Sequence, residues 1–214
     1  MGTTPQKRLV RRIDLERWLQ RVPQHPSPKA LFEQYTISVN AACEILFLAA
    51  YVHDDIIDKA IVDLGCGTGR LALGAIFLGA TETIGVDIDR PAVRSARRNA
   101  LELNVSEKAC WIASDISAIH GRFDTVLQNP PFGVQRRGAD RKFLLKALQL
   151  APRVYSLHKA GETNRIFIKR FIERHGGKVT SIFKMKVTIP RQFEFHTETK
   201  HEVDVDLYRI EIMR

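Results

Sequence analysis

From Lys59 onward the chain alternates short apolar, β-rich runs with helical stretches, and no other property restricts its fold as strongly. The runs are "AIVDLG", "TIGVDID", "ACWIAS", "FDTVLQN" and "RVYSLH"; between them lie "RLALGAIFLGA", "PAVRSARRNALELN" and "DRKFLLKALQLA". Such alternation predicts a mostly parallel sheet assembled from β-α-β units, a Rossmann-like doubly wound α/β fold. "DISAIHGR", between the third and fourth runs, is too short for a crossover helix and predicts one tight turn. The ending differs: "GKVTSIFKMKVTIP" and "HEVDVDLYRIEI" are long strand-like segments joined by "RQFEFHTETK" with no helix between them. They predict an antiparallel hairpin at one side of the sheet.

Seven strands closed by such a hairpin are the pattern of class I methyltransferases. Residues 1–58 form an N-terminal helical extension and 59–214 the Rossmann-like core, which together predict one domain. In the extension, "RRIDLERWLQRV" gathers Ile13, Leu15, Trp18, Leu19 and Val22 mainly on one helix side. A proline-rich stretch, "VPQHPSP", follows, and "ALFEQYTISVNAACEILFLAAYVHD" is helical again with an interruption near Tyr35 to Ser38.

No apolar run approaches the ~20 residues of a membrane span, and the N-terminus lacks a secretory pattern, so the expected location is cytoplasmic. The three cysteines, Cys43, Cys66 and Cys110, are scattered and support neither a disulfide framework nor a metal site. A formal charge of +9 points to a polyanionic partner, with nucleic acid the leading candidate and solubility the bland alternative.

"IVDLGCGTGRLALG" ends a strand and opens a helix. Gly65, Gly67 and Gly69 let the backbone turn tightly against a ligand, although several kinds of nucleotide binder share such a loop. The acids narrow the choice. Asp63, Asp87 and Asp115 all fall at the carboxyl ends of parallel strands, where such folds bind ligands. Three carboxylates would repel the phosphates of a dinucleotide, whereas S-adenosylmethionine presents an ammonium and a sulfonium. The expected cofactor set is Asp63, Gly65, Cys66, Gly67, Gly69, Asp87, Ile88, Asp115, Ile116 and Asn129. Asp87 suits a ribose. Asp115 is open between an adenine contact and a turn cap, and Ile116 between an adenine contact and packing. Asp89 is expected to cap the next helix.

"QNPPFG" follows the fourth strand, and two successive prolines end it in a rigid turn. An amino nitrogen conjugated to a ring is a poor nucleophile. Acceptors that hold its N–H groups localise the lone pair, and Asn129 and the carbonyl of Pro130 can serve, fixed in advance by Pro130 and Pro131. Phe132 offers a flat face for an extruded base. The turn alone does not choose between a base nitrogen and a protein amide.

The sequence resembles archaeal-type members of the methyltransferase-like protein 5 family, which make N6-methyladenosine in small-subunit ribosomal RNA. The resemblance covers nearly the whole chain: "FEQY", "DLGCGTG", "DID", "NPPFG", the helix from Ala139 to Leu148, "VYSLHK", and the ending "F-x-FH" with "VDVDLYR". It implies S-adenosylmethionine as methyl donor, catalysis at Asn129, Pro130, Pro131 and Phe132, and Gln34 and Tyr35 as cofactor-lid residues. "TISV", Thr36 to Val39, departs from the Pro-Thr or Thr-Pro type turn of the family. Rival readings are guanine-N2 methylation of RNA, glutamine methylation of a protein, and a non-catalytic RNA-binding assembly factor. Phe132 in place of Tyr, the basic loop and the family-like ending weigh against the protein substrate.

Arg136, Arg137, Arg141 and Lys142 directly follow the turn, where they would meet RNA phosphates, with a solvated loop as the alternative. Lys7, Arg8, Arg11 and Arg12 are open between extending that track and a solvated helix face. Phe193, Phe195 and His196 are open between stacking on RNA and packing. The third strand is expected at a sheet edge, where Trp111 would be a hazard unless covered. The family resemblance implies a small zinc-binding activator protein there; homodimerisation is the alternative.

Overall fold

The computed structural model describes residues 9–25, 27–29, 33–34, 36–132, 138–190 and 200–212, with the side chains of residues 189, 190, 200 and 201 outside the description. Strands β1 (Ala60–Leu64), β2 (Glu82–Asp87), β3 (Ala109–Ala113), β4 (Thr125–Gln128) and β5 (Arg153–Lys159) are parallel. The hairpin β6 (Gly177–Pro190) and β7 (Lys200–Ile212) is antiparallel and joins through β7, giving the order β3-β2-β1-β4-β5-β7-β6. All seven strand-like segments in the sequence are strands, and β3 is an edge.

Helices α1 (Arg12–Gln20), α2 (Val39–Phe47) and α3 (Arg70–Phe77) share a core with Ile61, Leu127 and Tyr155 on one face of the sheet. On the other face, α5 (Ala139–Leu150) and α6 (Glu162–Arg174) pack Leu144, Ala147, Ile168 and Ile172 against Val62, Val126 and Val154. Both faces are covered, which is why the parallel strands read as unbroken apolar runs rather than alternating ones. Helix α4 (Arg90–Glu102) begins at Asp89, whose side chain accepts the Ala92 N–H as expected of a cap. A single 3₁₀ turn, Ile116–Ala118, fills the short third crossover. A π-helical turn, Leu48–Val52, extends α2.

Two details differ from the apolar spacing. Ile13 is 45% exposed, because the buried stripe of α1 runs through Leu15 and Leu19 alone. Helix α6 was not anticipated: its apolar residues form two adjacent rows, and only Ile168 and Ile172 are buried.

Trp111 does not stand out from the edge strand. Its ring lies over Gly69 and Gly85, where an added Cβ would sit 2.5 Å and 2.3 Å from ring atoms. Gly69 also has φ +87°, so only glycine serves both the turn and the indole there.

Two of the motifs that carry the family resemblance are structural. Tyr155 of "VYSLHK" and Arg209 of "VDVDLYR" both donate to the buried carboxylate of Asp55, at 2.7 and 2.8 Å. Arg165 clasps Asp206 through two bonds of 2.7 and 2.8 Å. No described helix is long and apolar enough to cross a membrane.

Candidate functional site

The strand order reverses between β1 and β4, and a cleft of about 400 Å³ opens at their carboxyl ends. Its floor is the glycine turn. The N–H groups of Gly65 and Cys66 donate to the carbonyl of Val86, which draws the turn against β2. At Gly67, with φ +54°, an added Cβ would meet no protein atom, so the turn leaves room on its cleft side.

Asp87, at the end of β2, accepts the N–H of Gly67 on one oxygen and that of Asp89 on the other, each at 2.9 Å. Burial nevertheless raises its carboxyl. Asp63 is more extreme. It is 1% exposed, it accepts one long bond of 3.2 Å from Ala72, and burial pushes its carboxyl up to about 7. A buried acid short of partners beside a half-buried one forms a receptor for a cation and for hydroxyl donors.

Across the cleft stands the turn after β4. Asn129 lines the cleft, and its Oδ1 is buried with no partner among the described residues. An acceptor left in that state is costly unless a ligand claims it. Pro131 lines the cleft as well; Pro130 is buried, and Phe132 is half-buried against the α1–α2 core rather than lining the cleft. Behind the turn, Gln128 Nε2 donates to Ser156 Oγ, which also hydrogen-bonds His158 Nε2, both at 2.8 Å. Burial holds the His158 ring neutral, lowering it to about 4.

Of the remaining predicted residues, Gln34, Cys66, Ile88, Asp115, Ile116 and Lys142 line the cleft. Asp115 caps the 3₁₀ turn through the Ser117 N–H at 2.8 Å. It also takes both of its ionic contacts from Lys142, at 2.8 and 2.9 Å, which lowers it to about 2. Lys142 therefore sits on an acid of the cleft with its side chain still about half exposed, and Ile116 is 4% exposed in the core while touching the cleft. Gly69 heads α3 beneath Trp111. Arg141 is exposed beside α6. Tyr35, Arg136, Arg137, Phe193, Phe195, His196, Lys7 and Arg8 lie outside the described residues.

Sequence reasoning gave Gln34 to a lid over the cofactor but missed what fastens that roof. His25 lines the cleft, and its Nε2 bonds Asp89 at 2.9 Å while Lys29 reaches the same carboxylate at 2.7 Å. Since His25 Nδ1 accepts from the Ser27 N–H, its Nε2 is the donor to Asp89. Thr36, in the segment that departs from the family pattern, accepts the His25 N–H. Arg70, buried at the start of α3, donates to the carbonyls of Val22 and Ile37, and so ties both ends of the roof segment to the glycine turn. Local spacing holds no signal for contacts so distant in sequence.

This arrangement of fold and cleft defines a class I methyltransferase, and residues 39–173 match the methyltransferase small domain. The chain is 36% identical to the rRNA N(6)-adenosine-methyltransferase Mettl5 of Drosophila melanogaster, across 92% of this chain and 95% of that protein. A protein of Methanocaldococcus jannaschii is 39% identical over 95% of both. Among solved structures, a putative RNA methyltransferase from Pyrococcus horikoshii superposes with a TM-score of 0.88 at 40% identity, covering 96% of this chain and 100% of that one. The chain belongs to the methyltransferase-like protein 5 family.

The residues present fit S-adenosylmethionine. The raised acids Asp63 and Asp87 suit a ligand with an ammonium and ribose hydroxyls, and the room at Gly67 admits it against the backbone.

Proposed function

We infer that the protein methylates N6 of an adenosine in ribosomal RNA, with S-adenosylmethionine as donor. The observation that carries this reading is the unclaimed Oδ1 of Asn129, buried in the same cleft as Asp63 and Asp87. The relatives named for adenosine methylation of rRNA, alike over almost their whole length, support it.

When bound, the cofactor supplies a methyl group on a cationic sulfur. Everything else is done by the chain. Asp63 balances the positive charge of the ligand and Asp87 accepts from its ribose hydroxyls. Asn129 Oδ1 accepts one amino N–H of the target adenine, and the carbonyl of Pro130 accepts the other. With both N–H groups held, the nitrogen lone pair is turned out of ring conjugation toward the methyl group. Pro130 and Pro131 hold these acceptors in place beforehand, so no reorganisation accompanies reaction. No strong base is needed, because the nitrogen becomes acidic only as it takes up the methyl group and then releases its proton to solvent.

The finer assignments belong to the same reading. The rRNA is that of the small subunit, the protein works in the cytoplasm as one domain, and Arg136, Arg137 and Arg141 meet phosphates. The exposed edge of β3 receives a small zinc-binding activator protein. The test is methyl transfer from labelled S-adenosylmethionine to unmodified small-subunit rRNA, with nucleoside analysis. Label is expected in N6-methyladenosine, falling about 10²–10³-fold in Asn129→Ala, the scale of losing one preorganised hydrogen bond at a reacting group. Label in N2-methylguanosine, or in glutamine of a protein acceptor, would overturn the base assignment.

A further inference from the structure

Helix α6 carries a row of rings on its outer margin. Phe167 and Phe171 lie with centroids 6.3 Å apart, and Phe171 and His175 with centroids 4.4 Å apart at 35°. The His175 ring is held there because its Nδ1–H donates to the carbonyl of Phe171 at 2.7 Å. Phe167 is 43% exposed, an unusual state for a phenylalanine with a core on the other side of its helix. At 100° per residue, Arg170 and Arg174 fall directly beside Phe167 and Phe171 on the solvent side, and both are exposed. The two acids of the helix, Glu162 and Glu173, fall away from the row.

The row meets the active cleft. Arg141, in the first turn of α5, lies over the ring of Phe167 at 5.9 Å. Its other side faces Gly138, a residue of the cleft lining, where an added Cβ would stand 2.4 Å from the guanidinium. One arginine thus spans from the cleft mouth to the first ring. From there the rings descend about 12 Å along the helix at 1.5 Å per residue.

We propose that the outer margin of α6, from Arg141 through Phe167, Arg170, Phe171, Arg174 and His175, is a docking track for the single-stranded RNA that flanks the target nucleotide. Rings offer faces to any base, and arginines between them neutralise the phosphates, the combination that holds unpaired strands without reading their sequence. A protein partner is disfavoured by charge: from Phe167 to His175 the margin presents rings and arginines and no acid, on a chain of net +9. The inference rests on the reading of RNA as substrate and assigns the direction in which the strand leaves the cleft.

The test compares wild type with Arg170→Glu/Arg174→Glu and with Phe167→Ala, all at exposed positions. Transcribed ribosomal RNA and a short oligonucleotide centred on the target serve as probes. Lys169→Glu, on the other side of α6, controls for loss of charge alone. The expected result is a KM and Kd for the long RNA raised tenfold or more by the double variant, a larger penalty on the long RNA than on the short one, and an unaltered Kd for S-adenosylmethionine. The log–log salt slope should shrink by about 1.4, the share of two phosphates on a single strand. Wild-type behaviour of the variants on long RNA, or an equal penalty from Lys169→Glu, overturns the track. So does a wild-type dimer that Phe167→Ala dissociates, because the margin is then an interface between copies. If the wild type methylates RNA and the variants match it, only the track fails; if the wild type methylates no RNA, the function reading fails first.

Discussion

Asp63 and Asp55 are both buried carboxylates, one at each end of the parallel strands, and they are treated in opposite ways. Asp55 receives Tyr155 and Arg209, with Arg153 at 3.5 Å, and its own carbonyl accepts the Thr125 hydroxyl. Arg209 is in turn shared with Glu211 and Thr180. Asp63, buried more deeply, has one stretched bond and no cation beside it among the described residues. A buried charge that is fully partnered fastens the hairpin to the sheet. One left short of partners is a vacancy for a ligand, and the fold tolerates its cost because the site needs it.

Removing each acid should separate the two roles. The largest effect is expected at Asp55→Ala, which leaves Arg209 buried beside a lost partner and costs about 3–5 kcal/mol of stability. Chemical denaturation measures it; a loss under about 1 kcal/mol would make the network ornamental. Asp63→Asn should do the reverse. The apo-protein should melt no lower than wild type at pH 8, while affinity for S-adenosylmethionine falls on the order of 100-fold as a buried charge partner disappears. Calorimetry that finds an unchanged Kd would dismiss Asp63 as the cation's counterpart.

The smallest effect is a pH dependence. Asp63 stays protonated up to about 7 in the folded apo-protein, whereas in the unfolded chain it releases its proton near the ordinary ~3.9. Between those values the folded state holds a proton that the unfolded chain has lost, so apo stability falls as pH rises through the window. Cation binding runs the other way, because it requires the ionised acid. Affinity for the cofactor should rise with pH, at most about tenfold per unit, and level off above 7. A flat profile from pH 6 to 8 would remove the raised acid from the account.

The same contrast explains what the sequence disclosed. The five parallel strands were legible because strands covered on both faces must be apolar throughout, and the hairpin because two long strand-like segments follow each other with no helix between them. The glycine turn, Asp63, Asp87 and Asn129 were legible because they punctuate strand ends. Asp55 and Arg209, 154 residues apart, gave no such signal. Nor did Arg70, whose two acceptors lie 33 and 48 residues away, or His25, whose partner Asp89 belongs to another β-α unit. Trp111 was legible as an aromatic on an edge strand but not as the cover of Gly69 and Gly85. Helix α6 was obscured because Ile166, Phe167 and Phe171 widen its apolar pattern beyond the face it buries.

Arg70 gives the cleft an unusual division of labour. A single guanidinium holds Val22 and Ile37, and between them His25 and Lys29 are fastened to Asp89. Losing that guanidinium would free both ends at once without touching a strand pairing. The floor of the cleft is written into the sheet; the roof is held to it by side chains, Arg70 at its two ends and Asp89 between them.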